Sequence, residues 1–273
     1  HTPRTALNGQ LIFLTHGWAS YDRFTDSVQL RLDLDSSRLQ FADVALFAPD
    51  LEGVDLPIDV SGRFRGSISE LKGRKVRLRW GRSSSFIGDA DLSGLPGIDT
   101  TFIVLNAEEL RTDPADLATL PVPPFREKGT LDLPVEVQRL GPVSFSGDFT
   151  GFLNSFTAYG TTTTALGAVR TDMTFDRDTT TQVFRFDGTV RTSGFDLGTL
   201  VGDRTIGPLA CDVDLHAGGR SWTNMKATID GDVPLLTFNG SRLTAITVHG
   251  DLERDRFDGR LTCRDPNLDM DFA

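Results

Sequence analysis

Aspartates with alternate spacing are the residues of this chain whose types most clearly suggest chemistry. The run Asp265–Asp271 offers several carboxylates, and carboxylate oxygens are ligands that Ca²⁺ prefers. A calcium loop of the EF-hand kind needs Gly at its sixth position, which Met270 occupies here. Two further pairs share the alternate spacing: Asp89 with Asp91, and Asp212 with Asp214. We expect all three sets on the solvated faces of strands, and we expect no metal site.

Histidines and small nucleophiles form no recognisable catalytic pattern. His16, His216 and His249 lie far apart in the sequence, and none has the spacing of metal ligands. No serine stands in a nucleophile elbow. The run Ala217–Arg220 reads as a turn, because no Walker pattern follows it. The sequence therefore predicts a protein that is not an enzyme and that uses no cofactor.

One basic cluster interrupts an otherwise acidic chain. Its members are Arg74, Lys75, Arg77, Arg79 and Arg82. If this segment is a strand, Arg77 and Arg79 project to the same side as Lys75. A charged, solvated face is the favoured interpretation, and contact with a lipid headgroup or an anionic surface is the alternative.

The elements that position these residues are predicted by a two-residue alternation. In Ser27–Leu34, apolar residues alternate with Gln29, Arg31 and Asp33, and Leu268–Phe272 repeats the pattern with aspartates. Because side chains on a strand point to opposite faces in turn, each such strand has one apolar face and one charged face.

Composition agrees with a folded protein that does not bind nucleic acid. Of 273 residues, 38% are hydrophobic, and Phe, with 19 copies, dominates the aromatic residues. The net charge of -10 argues against nucleic acid as a partner. No segment approaches the length of a membrane helix or reads as a signal peptide. We interpret the chain, which begins with His1 and stops within the pattern at Phe272–Ala273, as a segment of a longer protein.

About 17 strands follow one another, mostly through short turns, which predicts an antiparallel meander. Leu39–Phe47 and Thr130–Gln138 are among these predicted strands. Two short helices are expected at Thr112–Leu120, with Thr112 as N-cap, and at Phe195–Val201. We treat 1–273 as a single segment, with a division into 1–111 and 123–273 around the helix at 112–120 as the alternative.

Two cysteines and a loose repeat complete the pattern. Cys211 and Cys263 lie on the apolar phase of their strands, so buried free thiols are favoured over a disulfide. Gly66–Gly73, Gly151–Gly160 and Gly250–Gly259 each place apolar residues and a polar turn between glycines. Such repetition suggests stacked units of one kind, although similar hairpins could also arise by chance.

Several segments resemble the middle of TamB-like proteins of the Bacteroidetes kind, which belong to the AsmA-like clan of repeating β-groove proteins. The segments are Leu32–Leu51, Leu71–Arg74, Gly94–Asp99, Phe152–Gly160, Phe195–Leu200 and Asp265–Leu268. The resemblance covers nearly the whole chain and implies an all-β fold. In that fold, an elongated, mostly antiparallel sheet with one or two short helices curls into an open hydrophobic groove, a β-taco.

The resemblance also implies a function and a location. Members of the family are anchored in the inner membrane, cross the periplasm, move phospholipid toward the outer membrane and help to assemble outer-membrane proteins. The implied partners are phospholipid acyl chains, neighbouring repeats of the same chain, and an outer-membrane barrel protein bound through a C-terminal region that this segment lacks. The competing hypothesis is a non-catalytic scaffold that binds outer-membrane protein strands through its sheet edges.

The apolar phase supplies the candidate lining of the groove. Its residues are Val28, Leu30, Leu32, Leu34, Val76, Leu78, Trp80, Leu131, Leu133, Val135, Phe145, Phe149, Phe184, Phe186, Val213, Leu215, Ile246, Val248, Leu268, Met270 and Phe272. On the alternation alone, a sandwich or closed barrel in which apolar faces pack together is the more common outcome. The resemblance reverses that preference in favour of an open groove.

Overall fold

The chain is an all-β protein built from antiparallel strands. A computed structural model describes residues 4–15, 17, 23–44, 53–120, 133–220, 224–253, 256–266 and 268–273. In these residues, fifteen strands lie in chain order and each pairs with its sequence neighbours, so the strand order never closes on itself. The predicted fold class, an open antiparallel sheet with short helices, is confirmed.

Two compact units divide the chain, the first formed by residues 1–134 and 144–153 and the second by residues 135–143 and 154–273. The strands of the first unit are β1 (Gly9–Leu14), β2 (Gln29–Gln40), β3 (Pro57–Gly66), β4 (Glu70–Trp80), β5 (Ser84–Ser93), β6 (Phe102–Thr112) and most of β7 (Val143–Phe152). Its helices are α1 (Phe24–Ser27), α2 (Phe41–Val44) and α3 (Pro114–Leu117), together with a 3-10 turn at Ile98–Thr100.

The second unit contains eight strands and two helices in its described residues. They are α4 (Val135–Arg139), β8 (Ser155–Thr164), β9 (Gly167–Arg177), β10 (Phe184–Asp196), α5 (Leu197–Val201), β11 (Ile206–Gly219), β12 (Lys226–Phe238), β13 (Ser241–Glu253), β14 (Arg256–Asp265) and β15 (Leu268–Phe272). None of the helices in the described ranges is long and apolar enough to cross a membrane.

Tight turns fix the pairing of neighbouring strands. Phe238 of β12 pairs with Ser241 of β13, which leaves Asn239 and Gly240 as a two-residue loop. Both loop residues have positive φ, at 48° and 77°, as a type I′ turn requires. The Asn-Gly sequence therefore determines which residues of β12 and β13 face each other.

The first unit has a compact apolar core. Val76, Phe86 and Ala107 are 2–4% exposed, and Leu78 and Trp80 pack against them. The indole Nε1 of Trp80 is buried and has no hydrogen-bond partner among the described residues. These side chains come from β4, β5 and β6, so the apolar phase of adjacent strands forms the core.

One predicted strand is wrong because a bulge in the strand before it shifts the alternation of apolar residues. Leu39–Phe47 was expected to be a separate strand, but β2 runs unbroken to Gln40, where α2 begins. An extra residue between Leu34 and Ser37, with Ser36 at φ 38°, forms a β-bulge in β2. The bulge keeps the strand continuous where the alternation is interrupted. Residues 45–47 lie outside the described residues.

The strand predicted at Thr130–Gln138 is also wrong over its last residues. Val135–Arg139 forms helix α4, and Val135 is 49% exposed, so its placement on a strand is corrected. Pro134 directly precedes this helix, a position where its fixed φ favours a helix start. Residues 130–132 lie outside the described residues, which leaves the beginning of that prediction untested.

The two helices predicted from capping signals are present. Helix α5 covers Leu197–Val201, its N-cap Asp196 accepts a hydrogen bond from Thr199 N, and Gly202 ends it at φ 79°. Helix α3 is shorter than predicted, and its N-cap is Asp113 rather than Thr112, which ends β6. Three further short helices were not predicted.

A close approach between two strands requires glycine at position 188 in β10. A Cβ atom added there would lie 2.1 Å from the carbonyl oxygen of Asp172 and 2.6 Å from Cα of Met173. Both of those atoms belong to the backbone of β9, so neither can move aside independently. Gly194, in the same strand, has no atom within 4 Å of its added Cβ.

We predict that Gly188→Ala destabilises the protein by about 1–3 kcal/mol, the usual cost of overpacking. Gly194→Ala, the matched control in the same strand, should leave stability almost unchanged. Urea unfolding followed by circular dichroism measures both. Equal midpoints for the two variants would show that the close approach at Gly188 does not constrain the fold.

Candidate functional site

The pairing register aligns apolar side chains into rows that cross the second unit from β8 to β15. We call the surface formed by these rows the apolar face of the second unit. One row consists of Phe156, Phe175, Phe186, Ala217, Ala227, Leu252 and Phe257. Another consists of Thr171, Val190, Val213, Gly231, Val248, Leu261 and Phe272.

Between these rows lies a third row that is rich in glycine. It consists of Ala158, Met173, Gly188, Leu215, Ile229, Gly250 and Gly259. The Phe257 ring occupies space beside Gly250, with its Cζ 2.8 Å from where a Cβ of Gly250 would stand. Aromatic rings over strand glycines are a known way to cover the backbone that glycine leaves bare.

The apolar face of the second unit is only partly covered. Phe186, Val213, Leu215 and Val248 are half-buried. The side chains of the apolar face are most exposed in the last strand. The predicted lining residues of β15 are Leu268 at 36% exposed, Met270 at 36% and Phe272 at 56%. The apolar face thus presents accessible hydrocarbon along several strands.

Other predicted lining residues of the second unit are fully packed. Ile246 in β13 and Phe184 in β10 are only 5% and 7% exposed. Cys263 pairs with Ile246, and Cys263 and Cys211 are both buried free thiols, as the sequence predicted. Burial raises the pKa of the Cys211 thiol, which keeps it protonated.

In the first unit, the predicted lining residues lie mainly inside a core. Val28, Leu30 and Leu34 are buried, as is Val76, whereas Leu32 is half-buried. Val28 itself precedes β2 and closes helix α1. The remaining predicted residues of this unit, which pack on the core or are half-buried, are Leu78, Trp80, Phe145 and Phe149.

Two predicted residues near position 133, Leu133 and Val135, do not join a strand row. Leu131 lies outside the described residues. Leu133 is half-buried in irregular chain, and Val135 lies in α4. The alternation through Leu133 and Val135 therefore did not locate lining positions.

Sequence reasoning missed several members of the rows. Phe156 and Phe175 stack with ring centroids 5.2 Å apart on the apolar face, and Val190, Leu261 and Phe257 were also not among the predicted lining residues. The sequence contained a signal for these residues. Each follows the apolar alternation of its own strand or of a neighbouring strand. Combining this alternation with the Asn239–Gly240 turn would have predicted which residues of β12 and β13 pair and therefore share a face.

The opposite face of the sheet carries charged pairs that cross between strands. In the second unit, Arg191 contacts Asp212 at 2.7 Å, His216 contacts Asp187 at 2.8 Å and Lys226 contacts Glu253 at 2.9 Å. All of these side chains are more than half exposed, so each pair contributes little to stability. They keep this face hydrated.

Several of the aspartates considered as metal ligands form hydrogen bonds with other groups of the protein. Asp91 is hydrogen-bonded by Arg74, which lowers the pKa of the Asp91 carboxyl, and Asp89 accepts a hydrogen bond from Lys75 N. Asp265 was expected on a solvated face, but it is buried and accepts hydrogen bonds from Thr244 N and Thr244 Oγ1. The described ranges contain no group of three His, Cys, Asp or Glu residues arranged for a metal ion.

Comparison with known proteins adds no relative: the chain matches no family model, no curated protein and no solved structure.

A buried carboxylate holds the turn that carries the end of the basic cluster. Asp116 in α3 is 4% exposed. It accepts hydrogen bonds from Arg82 N and Ser83 N at 2.9 and 2.8 Å, and from Ser84 Oγ at 2.8 Å. Burial by itself would raise the pKa of the Asp116 carboxyl, but these hydrogen bonds together lower it to about 2.

We predict that Asp116→Asn costs about 2 kcal/mol of unfolding free energy at neutral pH, because the bonds favour the charged carboxylate. The folded pKa lies below the unfolded value of 3.8, so this stability is present above about pH 5 and is lost as pH falls toward 2. The difference between wild type and variant should therefore narrow on acidification. Urea titrations at several pH values measure it.

Asp59→Asn is the control, because Asp59 forms an exposed pair with Arg38 and its removal should change stability much less. A difference between wild type and Asp116→Asn that stays constant from pH 6 to pH 3 would contradict the ionised role of Asp116.

Proposed function

We propose that this chain is a passive carrier of phospholipid acyl chains, which lie on the apolar face of its antiparallel sheet. The observation that carries the proposal is the half-buried state of Phe186, Val213, Leu215 and Val248 in strands β10, β11 and β13. Large contiguous apolar surfaces on soluble proteins usually serve to bind something. A chain of methylenes fits a row of side chains with no directional hydrogen bonds.

The energy of such binding comes from removing hydrocarbon from water. Each methylene transferred gains roughly 0.8 kcal/mol, so partial burial of a tail of about 16 carbons could gain on the order of 10 kcal/mol. Neighbouring rows present similar chemistry, so the free energy changes little as the tail moves along the strands. No step requires a side chain to exchange a proton or form a bond.

The two faces of the sheet have the different properties that a carrier of amphipathic ligands needs. The charged pairs of the opposite face favour contact with water, and the apolar face offers the hydrocarbon surface. A sandwich would use the same alternation to bury two such faces against each other. The accessible side chains of the second unit favour the open arrangement instead.

The cellular setting follows from the family resemblance. We place the chain in the periplasm, as a segment of a bridge between the inner and outer membranes that is anchored in the inner membrane outside these residues. Its repeats would hand acyl chains from one to the next. A contribution to outer-membrane protein assembly, through a barrel partner, belongs to the same proposal.

We predict that Val248→Asp removes bound lipid, because a carboxylate in the middle of a row makes the hydrocarbon surface costly to dehydrate. The measurement is mass spectrometry of the organic extract of purified protein. Leu215→Asp, in β11 and in another row of the same face, should have the same effect.

Thr247→Asp is the matched control, since it adds the same charge one residue away in β13 but on the opposite face. Circular dichroism confirms that all three variants are folded. Wild-type amounts of lipid in folded Val248→Asp and folded Leu215→Asp would refute the acyl-chain track.

A second candidate function is the binding of unfolded outer-membrane protein strands at a sheet edge. It requires a free sheet edge, and the observation that bears on it is that all five residues of β15, which pairs with β14, are exposed. An edge strand offers backbone groups for strand addition. Binding of this kind uses backbone groups of β15, so Val248→Asp should not reduce it, and this separates the two functions.

A further inference from the structure

A polar cavity of about 880 Å³ lies at the end of strands β4 and β5 in the first unit. Its lining includes five arginines: Arg38, Arg77, Arg79, Arg82 and Arg111. Among the described residues, two carboxylates, Asp55 and Asp59, share that lining. In a chain of net charge -10, this concentration of guanidinium groups is the exception.

The register explains how distant residues reach one cavity. Arg38 of β2 pairs with Asp59 of β3, which pairs with Arg79 of β4. The same row continues through Ser85 of β5 to Arg111 of β6. Arg77 lies two residues before Arg79 and projects to the same face.

Carboxylates form ion pairs with Arg38 and Arg111, which stand at the two ends of this row, but not with the arginines between them. Arg38 forms an ion pair with Asp59 at 3.0 Å, and Arg111 forms one with Glu109 at 2.7 Å. Arg77, Arg79 and Arg82 have no carboxylate within ion-pair distance in the part of the chain that the structure describes. The centre of the cavity is therefore the place where an anion gains most.

The turn that carries Arg82 is held in place. Gly81 adopts a left-handed φ of 59°, and Asp116 accepts hydrogen bonds from the backbone N–H groups of Arg82 and Ser83. A ligand that contacts Arg82 would not have to order this turn, which lowers the entropic cost of binding. The adjacent Ser85 also lines the cavity and adds a hydroxyl group.

The geometry points to a binding site for a phosphate group, held by Arg77, Arg79 and Arg82. The planar fork of a guanidinium donates two parallel hydrogen bonds to phosphate oxygens, and several such forks suit a tetrahedral anion with oxygens on all sides. Ile87, which pairs with Arg77 across β4 and β5 and therefore shares its face, also lines the cavity, so apolar surface adjoins the arginines. A phospholipid headgroup with the start of its acyl chains matches that combination. The lipid source of the phosphate rests on the proposed function, whereas the phosphate site does not.

The test uses Arg77→Gln/Arg79→Gln in the full chain and isothermal titration with two probes: inorganic phosphate and monomeric dihexanoyl phosphatidic acid. The control is Arg31→Gln/Arg63→Gln, which removes the same charge from exposed positions on β2 and β3. We expect the first variant to weaken binding at least tenfold and the control to change it less than twofold. Raising the salt concentration should weaken wild-type binding.

The two probes separate the sources of the phosphate. Tighter binding of phosphatidic acid, lost in Arg77→Gln/Arg79→Gln, supports a lipid headgroup. Equal binding of both probes, lost in the same variant, supports a site for free phosphate. Absence of binding by wild type, or equal binding by wild type and Arg77→Gln/Arg79→Gln, overturns the site. Val248→Asp should leave inorganic phosphate binding unchanged, so failure of the acyl-chain track is detected separately.

Discussion

The antiparallel register is the constraint on which the rest of the structure depends. Because side chains alternate with a period of two, a slip of one residue would move every apolar side chain of a strand to the charged face. Turns such as Asn239–Gly240 hold the register, and Gly188 allows two backbones to come close where a Cβ would collide. Rows of hydrocarbon arise only because each neighbouring pair keeps its alignment.

The charged face and the polar cavity follow from the same alignment. Cross-strand pairs such as Arg191 with Asp212 form because the register places opposite charges on adjacent strands. Arg79 stands between Asp59, which forms its ion pair with Arg38, and Ser85, so in the described residues its charge has no ion-pair partner. Asp116 plays a different part: it is buried, and it holds a turn rather than neutralising a surface charge.

Alternation in the sequence predicts strands and their two faces well, but it does not predict burial. Val76 and Val248 look alike in sequence, yet one is 2% exposed in a core and the other is half-buried on an accessible face. Burial depends on which distant elements cover a strand, and local pattern does not contain that information. Bulges are similarly hidden: the extra residue at Ser36 changes the phase of β2 without a glycine or proline to mark it.

The central claim, that acyl chains lie on the apolar face, is tested most directly by photo-cross-linking along β13. A photoreactive residue is placed in turn at Val248, at Thr247 and at His249, and lipid attached after irradiation is measured by mass spectrometry. The account predicts lipid adducts at Val248 and none at its two neighbours, which lie on the charged face. Equal adducts at all three positions, or adducts at Thr247 and His249 alone, would contradict it.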